Sequence, residues 1–342
     1  MRHVTFGKIG DLRKMVKDIS HCCRYSGKDE NGDVVYNSDP LPKLTVKSTT
    51  KLHGSNASVS LQNGEYLCQS RNHIVSEGHF SFPEIVLQEK EHIESLFTQI
   101  REITEVGDDE VVTIFGEIIG PGIQRGVALS DLSKKYWVLF ACKINNVEGE
   151  GRWVQGFDKI KSDSDRIFNI HEFPTQEFQI DIAFAQKSQN DLIEACLKVE
   201  ECCPVAKKLE GIEGIGEGIV IETFYKGNRF TAKIKGDKHS KGSKVRKLTQ
   251  VDPVKVASVE KFVAHAATES RVDQAIHEVG NSLGEELSKK HTGDIIRWVA
   301  NDIIVEECDV LKENNLEYAQ VAGKVANEVR NVYFAKLDTV GF

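Results

Sequence analysis

The chain changes character near Pro253, and this change limits the folds that it can adopt. Between about residues 44 and 240, short runs rich in β-branched and aromatic residues alternate with Gly, Asn and Asp, a pattern typical of strands. After Pro253 no strand run stands out, and apolar residues recur at helical spacing, as in Ile295, Val299 and Ile303. We therefore predict an α+β domain of strands and a few helices, followed by a small all-helical domain.

The first part of the chain contains a series of strand candidates, each bounded by turn-forming residues. Helices are predicted at Pro83–Arg101, where proline favours the first turn, and at Gln189–Glu201. Ser26–Pro42 is rich in turn residues and predicts a surface loop or a loose hairpin. We place the domains at 1–243 and 244–342, with a basic linker at the start of the second. The predicted strands are Leu44–Thr50, Ala57–Leu61, Glu65–Ser70, Val111–Ile118, Tyr136–Ile144, Phe178–Ala183, Gly218–Glu222 and Arg229–Lys235.

Length and composition agree with two globular domains. At 342 residues the chain is longer than one typical domain, and 40% hydrophobic with 28% charged residues is ordinary globular composition. No apolar run is long enough to span a bilayer, so we expect a cytoplasmic protein with no membrane partner. The eight cysteines are then expected to be reduced thiols.

Positive charge is concentrated in one segment of an acidic chain. The net charge is −8, yet Lys226–Lys247 contains nine Lys or Arg residues and one acid, Asp237. That segment carries +8, so the remainder of the chain carries −16. A basic band on an acidic body indicates one anionic ligand held in one place, although a solvated run of charges has the same composition.

Lys51 stands in a short loop between two predicted strands, in the run KLHGSN at residues 51–56. A lysine that is followed by a polar residue and a glycine in such a loop suits a covalent nucleophile. The amine must be held against a phosphorus atom, and glycine lets backbone and phosphate approach closely. The alternative is a polar hairpin turn with an exposed lysine.

Other residues of the predicted strands have the chemistry of a phosphate site. Arg71 directly follows a strand and could bind a phosphate with two donors, unless it is an ordinary surface arginine. Glu117 shares a strand face with an apolar row and could accept hydrogen bonds from a ribose, unless it lies at a solvated edge. Lys233 and Lys235 share a strand face and repel each other unless an anion, such as a triphosphate, lies between them.

The aromatic and glycine-rich segments exclude several familiar nucleotide folds. One ring of Tyr136–Phe140 could stack on a purine, although aromatic residues in strands more often belong to the core. Gly116–Gly126 and Gly211–Gly218 contain neither GxxxxGK[ST] nor a complete GxGxxG. A P-loop ATPase, a Rossmann dehydrogenase and a protein kinase are therefore disfavoured.

Taken in order, these segments resemble the motifs of the covalent nucleotidyltransferases: DNA ligases, RNA ligases and mRNA capping enzymes. The resemblance covers about residues 44–240 and is closest to the RNA ligase 2 family, phage nick-sealing enzymes whose C-terminal domain is also helical. KLHG at Lys51 resembles motif I, Arg71 the short motif after it, IFGEIIG around Glu117 motif III, YWVLF around Trp137 the aromatic strand that follows, EGIVIE at Glu217 motif IV, and KIK at Lys233 and Lys235 motif V.

The resemblance implies a nucleotidyltransferase domain of antiparallel sheets flanked by helices. It also implies an ATP-dependent RNA ligase that forms lysyl-AMP at Lys51 with Mg²⁺ or Mn²⁺, and that joins 5′-phosphate to 3′-hydroxyl RNA ends. We expect it to act at nicks in duplex RNA, in RNA repair. The implied roles are His53 and Gly54 for the loop, Asn56 and Arg71 for the AMP or RNA phosphate, Glu117 for the ribose, Trp137 for adenine stacking, Lys233 and Lys235 for the triphosphate, and Glu217 for the metal.

Two alternatives stay open at this point. One is another enzyme of the same superfamily, a DNA ligase or a capping-type guanylyltransferase. The other is a catalytically inactive nucleic-acid-binding module, which would form no covalent adduct with any nucleotide. The resemblance implies no protein partner, and a phage-encoded enzyme would act in the host cytoplasm.

Overall fold

The computed structural model describes residues 2–30, 32–236, 248, 250, 252–284 and 286–340. The predicted boundary between residues 243 and 244, and most of the basic linker, lie outside the described residues. The helices are α1 (Leu12–Arg24), α2 (Phe82–Gln88), α3 (Lys90–Ile103), α4 (Gln189–Glu201), α5 (Pro204–Glu210), α6 (Pro253–Ala266), α7 (Glu269–Leu283), α8 (Thr292–Glu306), α9 (Cys308–Glu313) and α10 (Tyr318–Val340). The strands are β1 (Tyr25–Lys28), β2 (Val34–Tyr36), β3 (Lys43–Thr50), β4 (Ser55–Gln62), β5 (Glu65–Ser70), β6 (Val111–Ile119), β7 (Tyr136–Asn145), β8 (Gly151–Trp153), β9 (Ile167–Asn169), β10 (Gln176–Asp181), β11 (Gly218–Tyr225) and β12 (Asn228–Lys235).

Within the described residues, the strands form two larger sheets and one hairpin. One sheet has the order β10-β3-β11-β12, and the other has the order β5-β4-β6-β7-β8 with β9 beside β7. β3, β11 and β12 pair antiparallel, as do β5, β4, β6, β7 and β8, while β9 runs parallel to β7. β1 and β2 form a hairpin, one of the two possibilities predicted for Ser26–Pro42, although β1 begins one residue earlier, at Tyr25. The predicted fold class, antiparallel sheets with helices followed by a helical region, is confirmed.

Most predicted elements have the expected type and nearly the expected bounds. The helix predicted at Pro83–Arg101 is divided into α2 and α3, because Glu89 leaves helical geometry (φ −99°, ψ 21°). α1 was not predicted, although Met15, Ile19 and Cys23 are buried at helical spacing within it. Short strands such as β8 were also not predicted, since three residues carry too little periodicity.

The chain folds into two compact units, and each unit is discontinuous in sequence. The first unit comprises Met1–Asp18, Leu44–Gln179 and Asp191–Thr249. The second comprises Ile19–Lys43, Ile180–Asn190 and Gln250–Phe342. Two short segments from within the predicted domain 1–243 therefore belong with the C-terminal helices.

In the first unit, hydrophobic cores lie on both faces of the sheet that contains β6 and β7. On one face α2 and α3 cover the sheet, with Phe82, Phe97 and Trp137 among the fully buried side chains. On the other face Ile119 and Val138 pack with residues of α5. Alternate residues of β7 therefore face different cores, as strand geometry requires.

The second unit has a core of its own. Apolar residues of α6 to α10 form one buried cluster that includes Val272, Val299 and Tyr333. The segment Ile180–Asn190 joins this unit through polar contacts: Lys187 forms an ion pair with Glu260, and Lys324 donates to the carbonyl of Ala183. Among the described helices, none combines the length and apolar character that crossing a membrane requires.

Candidate active site

The loop that carries Lys51 is fixed on both sides by backbone contacts. The backbone N–H of Lys51 donates to the carbonyl of Gly218 (2.8 Å). This bond continues the pairing of β3 with β11 by one residue. On the other side, a Cβ at Gly54 would lie 2.2 Å from the carbonyl oxygen of Ile118, so no other residue fits there without movement. The amine of Lys51 therefore projects from a rigid position between the two sheets.

Glu217 is buried among the cationic groups of the site. Its Oε2 lies 2.6 Å from Lys51 Nζ and 3.0 Å from His53 Nδ1, and its Oε1 lies 2.6 Å from Lys235 Nζ. Burial alone would raise the pKa of this carboxyl, but the hydrogen bond from His53 and the charges of Lys51 and Lys235 hold it well below the usual range. Glu217 is therefore an anion that orients the two lysines.

Glu117 lies in a different electrostatic environment. Its Oε1 accepts a hydrogen bond from the N–H of Gly54 (3.2 Å), and it stands opposite Asn56 in the pairing of β4 with β6. Burial raises the pKa of Glu117 to about 7, although Lys51 and the Gly54 N–H oppose that rise. This carboxyl can therefore accept or donate a hydrogen bond near neutral pH.

Lys233 and Lys235 lie on the same face of β12, as predicted, but their side chains have different partners. Lys235 pairs with Glu217, whereas Lys233 forms neither a hydrogen bond nor an ion pair by its side chain with any described residue. Burial, followed by repulsion from Lys235 and Lys51, lowers the pKa of Lys233. Such a cation gains stability when an anion enters beside it.

A cavity of about 600 Å³ joins these residues. Six predicted site residues line it, from both sheets of the first unit: Lys51, Asn56, Arg71, Glu117, Lys233 and Lys235. His53, Gly54 and Glu217 do not line it directly. Gly54 bonds to Glu117 and Glu217 bonds to Lys51 and Lys235, which all line the cavity, whereas His53 contacts Glu217. The remaining lining residues are Phe6, Lys8, Ile9, Thr49, Thr50, Leu52, Phe140, Ile170, His171, Val220, Glu222 and Arg229.

Trp137 lies outside this cavity, and its predicted place beside the nucleotide is wrong. Its side chain is fully buried, its indole N–H donates to the carbonyl of Ala57 (3.0 Å), and its ring packs edge-on against Phe82. Gly116 makes this possible, because a Cβ there would lie 2.3 Å from the indole nitrogen. Trp137 is a core residue of the sheet.

Phe140 is the aromatic residue of β7 that lines the cavity. It lies three residues after Trp137, so alternation along the strand already places the two rings on opposite faces. A register shift between Phe115 and Gly116 leaves Phe140 without a direct partner on β6, because those residues pair with Ala141 and Leu139. The alternation of residues along a strand can be recognised in the sequence and could have indicated Phe140. The bulge could not be recognised there.

The other lining residues had no recognisable signal in the sequence. Phe6, Lys8 and Ile9 precede the first predicted strand and reach the cavity only through the tertiary fold. Glu222 and Arg229 lie on adjacent strands and form an ion pair, with the Arg229 guanidinium over the rings of Phe6 and Trp153. These contacts depend on strand register, which the sequence pattern did not specify.

The carboxylates of the site offer few ligands to a divalent metal. Among the described residues, no group of three or more His, Cys, Asp or Glu side chains could hold a metal ion. Glu217 supplies a single ionised carboxylate, which already contacts the amines of Lys51 and Lys235 and a ring nitrogen of His53. Mg²⁺ is commonly bound through one or two carboxylates together with ligand phosphates and water. Both oxygens of Glu217 are already engaged and its side chain does not line the cavity, so Glu217 does not fit that kind of site in this arrangement.

Comparison with known proteins gives a match to one family model and matches to solved structures. The RNA ligase family model matches residues 45–235. A Naegleria gruberi RNA ligase with pyrophosphate is 15% identical, with a TM-score of 0.42, and a variant of that ligase with ATP and Mn is 14% identical, with a TM-score of 0.43. Each alignment covers 71% of this chain and 59% of the solved one, so this chain spans about three-fifths of the length of those ligases. No curated protein matches the chain.

Proposed function

This chain belongs to the RNA ligase family, and we propose that it is an ATP-dependent RNA ligase that acts through a lysyl-AMP intermediate at Lys51. The observation that carries the proposal is the position of the Lys51 amine. It lies on a rigid loop at a cavity that also contains Arg71 and Lys233, two cations whose side chains form no ion pair with any described residue. A polyphosphate is the ligand whose charge such a cavity balances.

In the proposed first step, the amine of Lys51 loses a proton to water and attacks the α-phosphorus of ATP, and the nitrogen releases a second proton to water as the phosphoramidate forms. An N–P bond forms, the bond between the α-phosphorus and the bridging oxygen breaks, and pyrophosphate leaves with that electron pair. Lys233 and Lys235 stabilise the negative charge on the phosphates, since both lie on the cavity wall. Glu217 keeps Lys51 and Lys235 oriented, so that the reacting atoms start close together.

Glu117 and Phe140 hold the nucleoside part of the ligand in this proposal. Glu117 bonds the ribose hydroxyls in this proposal. The cavity wall has two carboxyls, Glu117 and Glu222, and Glu222 is already paired with Arg229. Phe140 replaces Trp137 as the ring that stacks on adenine, because Phe140, unlike Trp137, lines the cavity. A bound divalent metal, Mg²⁺ or Mn²⁺, would neutralise phosphate charge, and Glu217 would hold it only after releasing Lys51 or Lys235.

The proposed later steps join two RNA ends. AMP passes from Lys51 to a 5′-phosphate, and a 3′-hydroxyl then attacks that phosphate and releases AMP. Arg71 and Asn56 bind the phosphate that is being transferred, since both line the cavity beside Lys51. We further propose that the helical part of the chain holds duplex RNA beside a nick. In this proposal, residues 1–243 form the AMP adduct and residues 244–342 bind the duplex.

Labelled ATP tests the central claim. The wild-type protein is expected to gain one AMP, and mass spectrometry of its peptides should locate the adduct on Lys51. Lys51→Ala should form no adduct, and Lys51→Arg should also form none, although it keeps a positive charge beside Glu217. Lys14→Ala is the matched control, because the exposed amine of Lys14 pairs with Asp18 and does not line the cavity.

Four results would count against the proposal. An undiminished AMP adduct in Lys51→Ala would exclude this nucleophile. Labelling by GTP without labelling by ATP would favour a guanylyltransferase, and no adduct with either nucleotide would favour an inactive binding module. Sealing of nicked DNA but not of nicked RNA by an active enzyme would favour a DNA ligase.

A further inference from the structure

We propose that residues 3–10, here called the strap, are a wall of the nucleotide cavity, and that Lys8 binds a phosphate group there. This inference rests on the proposed function and adds a residue that lies outside all the recognised motifs. The ligand chemistry is a phosphate oxygen, which ATP or the 5′-phosphate of RNA could supply.

The strap is anchored at both ends to strands that carry site residues. Near its start, the N–H of Val4 donates to Gln69 Oε1 (2.6 Å), and a ring nitrogen of His3 lies 3.1 Å from the carbonyl oxygen of Ser70. Gln69 and Ser70 end the strand that leads directly into Arg71. The start of the strap is therefore tied to the segment that positions one cation of the cavity.

The far end of the strap is tied to β12. Gly10 forms a parallel bridge with Ala232, and its carbonyl accepts a hydrogen bond from the N–H of Lys233 (2.9 Å). The strap therefore crosses from the strand before Arg71 to the strand of the lysine pair. Lys8 is only two residues from Gly10, so its backbone lies close to that of Lys233.

An aromatic anchor holds the middle of the strap in place. Phe6 is 6% exposed and packs against Phe115 (5.1 Å between ring centroids) and Phe140 (5.0 Å). The guanidinium of Arg229 also lies over the Phe6 ring, 5.7 Å from its centroid. Phe140 itself lines the cavity, so the strap is packed against the cavity wall rather than lying loosely over it.

Lys8 is a cation of the cavity whose charge is not neutralised. Its side chain is exposed, lines the cavity, and forms neither a hydrogen bond nor an ion pair with any described residue. Arg71 and Lys233 share this property and line the same cavity. Three such cations around one space repel one another unless a multiply charged anion lies among them.

The test uses the full chain, freed of AMP by incubation with pyrophosphate, in four forms: wild type, Lys8→Ala, Lys8→Arg and Lys17→Ala. Lys17 is the matched control, because it is an exposed lysine in the same unit and does not line the cavity. One arm measures AMP adduct formation as a function of ATP concentration. A second arm measures sealing of nicked duplex RNA whose 5′ end already carries AMP, which requires no ATP. Thermal melting checks that all four proteins are folded.

Loss of one charge-assisted phosphate contact should raise the KM for ATP roughly tenfold in Lys8→Ala, with most of the loss restored in Lys8→Arg and none seen in Lys17→Ala. If Lys8 serves the RNA phosphate instead, the second arm should slow by a similar factor while the first does not. Equal behaviour of Lys8→Ala and wild type in both arms would overturn the inference. A wild type that forms no adduct would refute the proposed function separately, and calorimetric binding of ATP to Lys8→Ala and wild type would still decide the role of Lys8.

Discussion

The amine of Lys51 lies 2.6 Å from a carboxylate oxygen of Glu217, and the other oxygen of that carboxylate lies 2.6 Å from the amine of Lys235. One buried anion therefore links the end of β3 to the end of β12. The carboxylate that pairs with both lysines is 3% exposed, whereas the lysine side chains are 19% and 23% exposed. This arrangement positions the proposed nucleophile before any ligand is bound.

Replacement of Glu217 by Gln should destabilise the protein and slow adduct formation. The amide has the same shape but leaves Lys51 and Lys235 without a buried counter-charge. Breaking such a buried pair costs about 3 kcal/mol in the free energy of unfolding at neutral pH. Urea unfolding measures this change, and Glu194→Gln is the control, since the exposed carboxylate of Glu194 pairs with the equally exposed Lys198.

The same substitution should have a defined pH dependence. The pKa of Glu217 is lower in the folded protein than its usual 4.5, so its contribution to stability is present above that pH and is lost as the pH falls. The stability difference between wild type and Glu217→Gln should therefore shrink below about pH 4.5. A difference that stays constant to pH 3 would contradict the ion-pair account.

Glu117 should show the opposite behaviour in the AMP-free protein. Its pKa of about 7 lies above the usual 4.5, so the folded chain holds this proton more tightly than the unfolded chain does. Its contribution to stability is complete below about pH 4.5 and is lost as the pH rises to about 7. Since one pKa unit corresponds to about 1.4 kcal/mol, we expect a loss of about 2 kcal/mol across that range, allowing for partial contact with solvent.

Glu117→Gln should remove that loss, because glutamine does not titrate. The measurement is the free energy of unfolding of both proteins at several pH values between 4.5 and 7.5. If the free energy of unfolding changes with pH in the same way for both proteins, then the fold does not favour the protonated form of Glu117. The effect of Glu217 is common to both proteins and cancels in the difference.

Substitutions at Phe140 and Trp137 should have different effects, the first on ATP binding and the second on stability. Phe140→Leu removes the proposed stacking ring and should weaken ATP binding about tenfold, since stacking of a base on an aromatic ring contributes about 1–3 kcal/mol. Trp137→Phe should leave ATP affinity nearly unchanged and lower stability by about 2 kcal/mol, because it loses core volume and the bond to Ala57. Calorimetry and urea unfolding of both variants distinguish the two roles, and the reverse pattern would restore Trp137 as the nucleotide residue.

Gly54→Ala should impair both folding and adduct formation. The added Cβ would lie 2.2 Å from a backbone oxygen of β6, and backbone cannot move aside as a flexible side chain can. Overpacking of this kind typically costs about 1–3 kcal/mol. Gly293→Ala is the control, because a Cβ at Gly293 meets nothing within 4 Å. A Gly54→Ala protein as stable and active as wild type would show that the loop is not held as tightly as its contacts imply.

The sequence by itself determined the type of most elements and several of the site's charged residues, although not Lys8, Glu222 or Arg229. Strand parity and helical spacing are local properties, so β3 to β7, β11, β12 and the C-terminal helices could be predicted from them. The motif order was enough to name Lys51, Glu117, Lys233 and Lys235, because the chemistry of phosphate restricts which side chains can surround it.

Only the tertiary structure decided which aromatic ring reaches the cavity, which partners Glu217 has, and that the strap forms part of the wall. The bulge at Phe140, the close approach allowed by Gly116 and the anchoring of Phe6 all depend on contacts between residues far apart in the chain. Residues 19–43 and 180–190 likewise join the second unit through such contacts. Local pattern contains no information about these approaches, because they are set by packing and register between elements that the chain brings together only on folding.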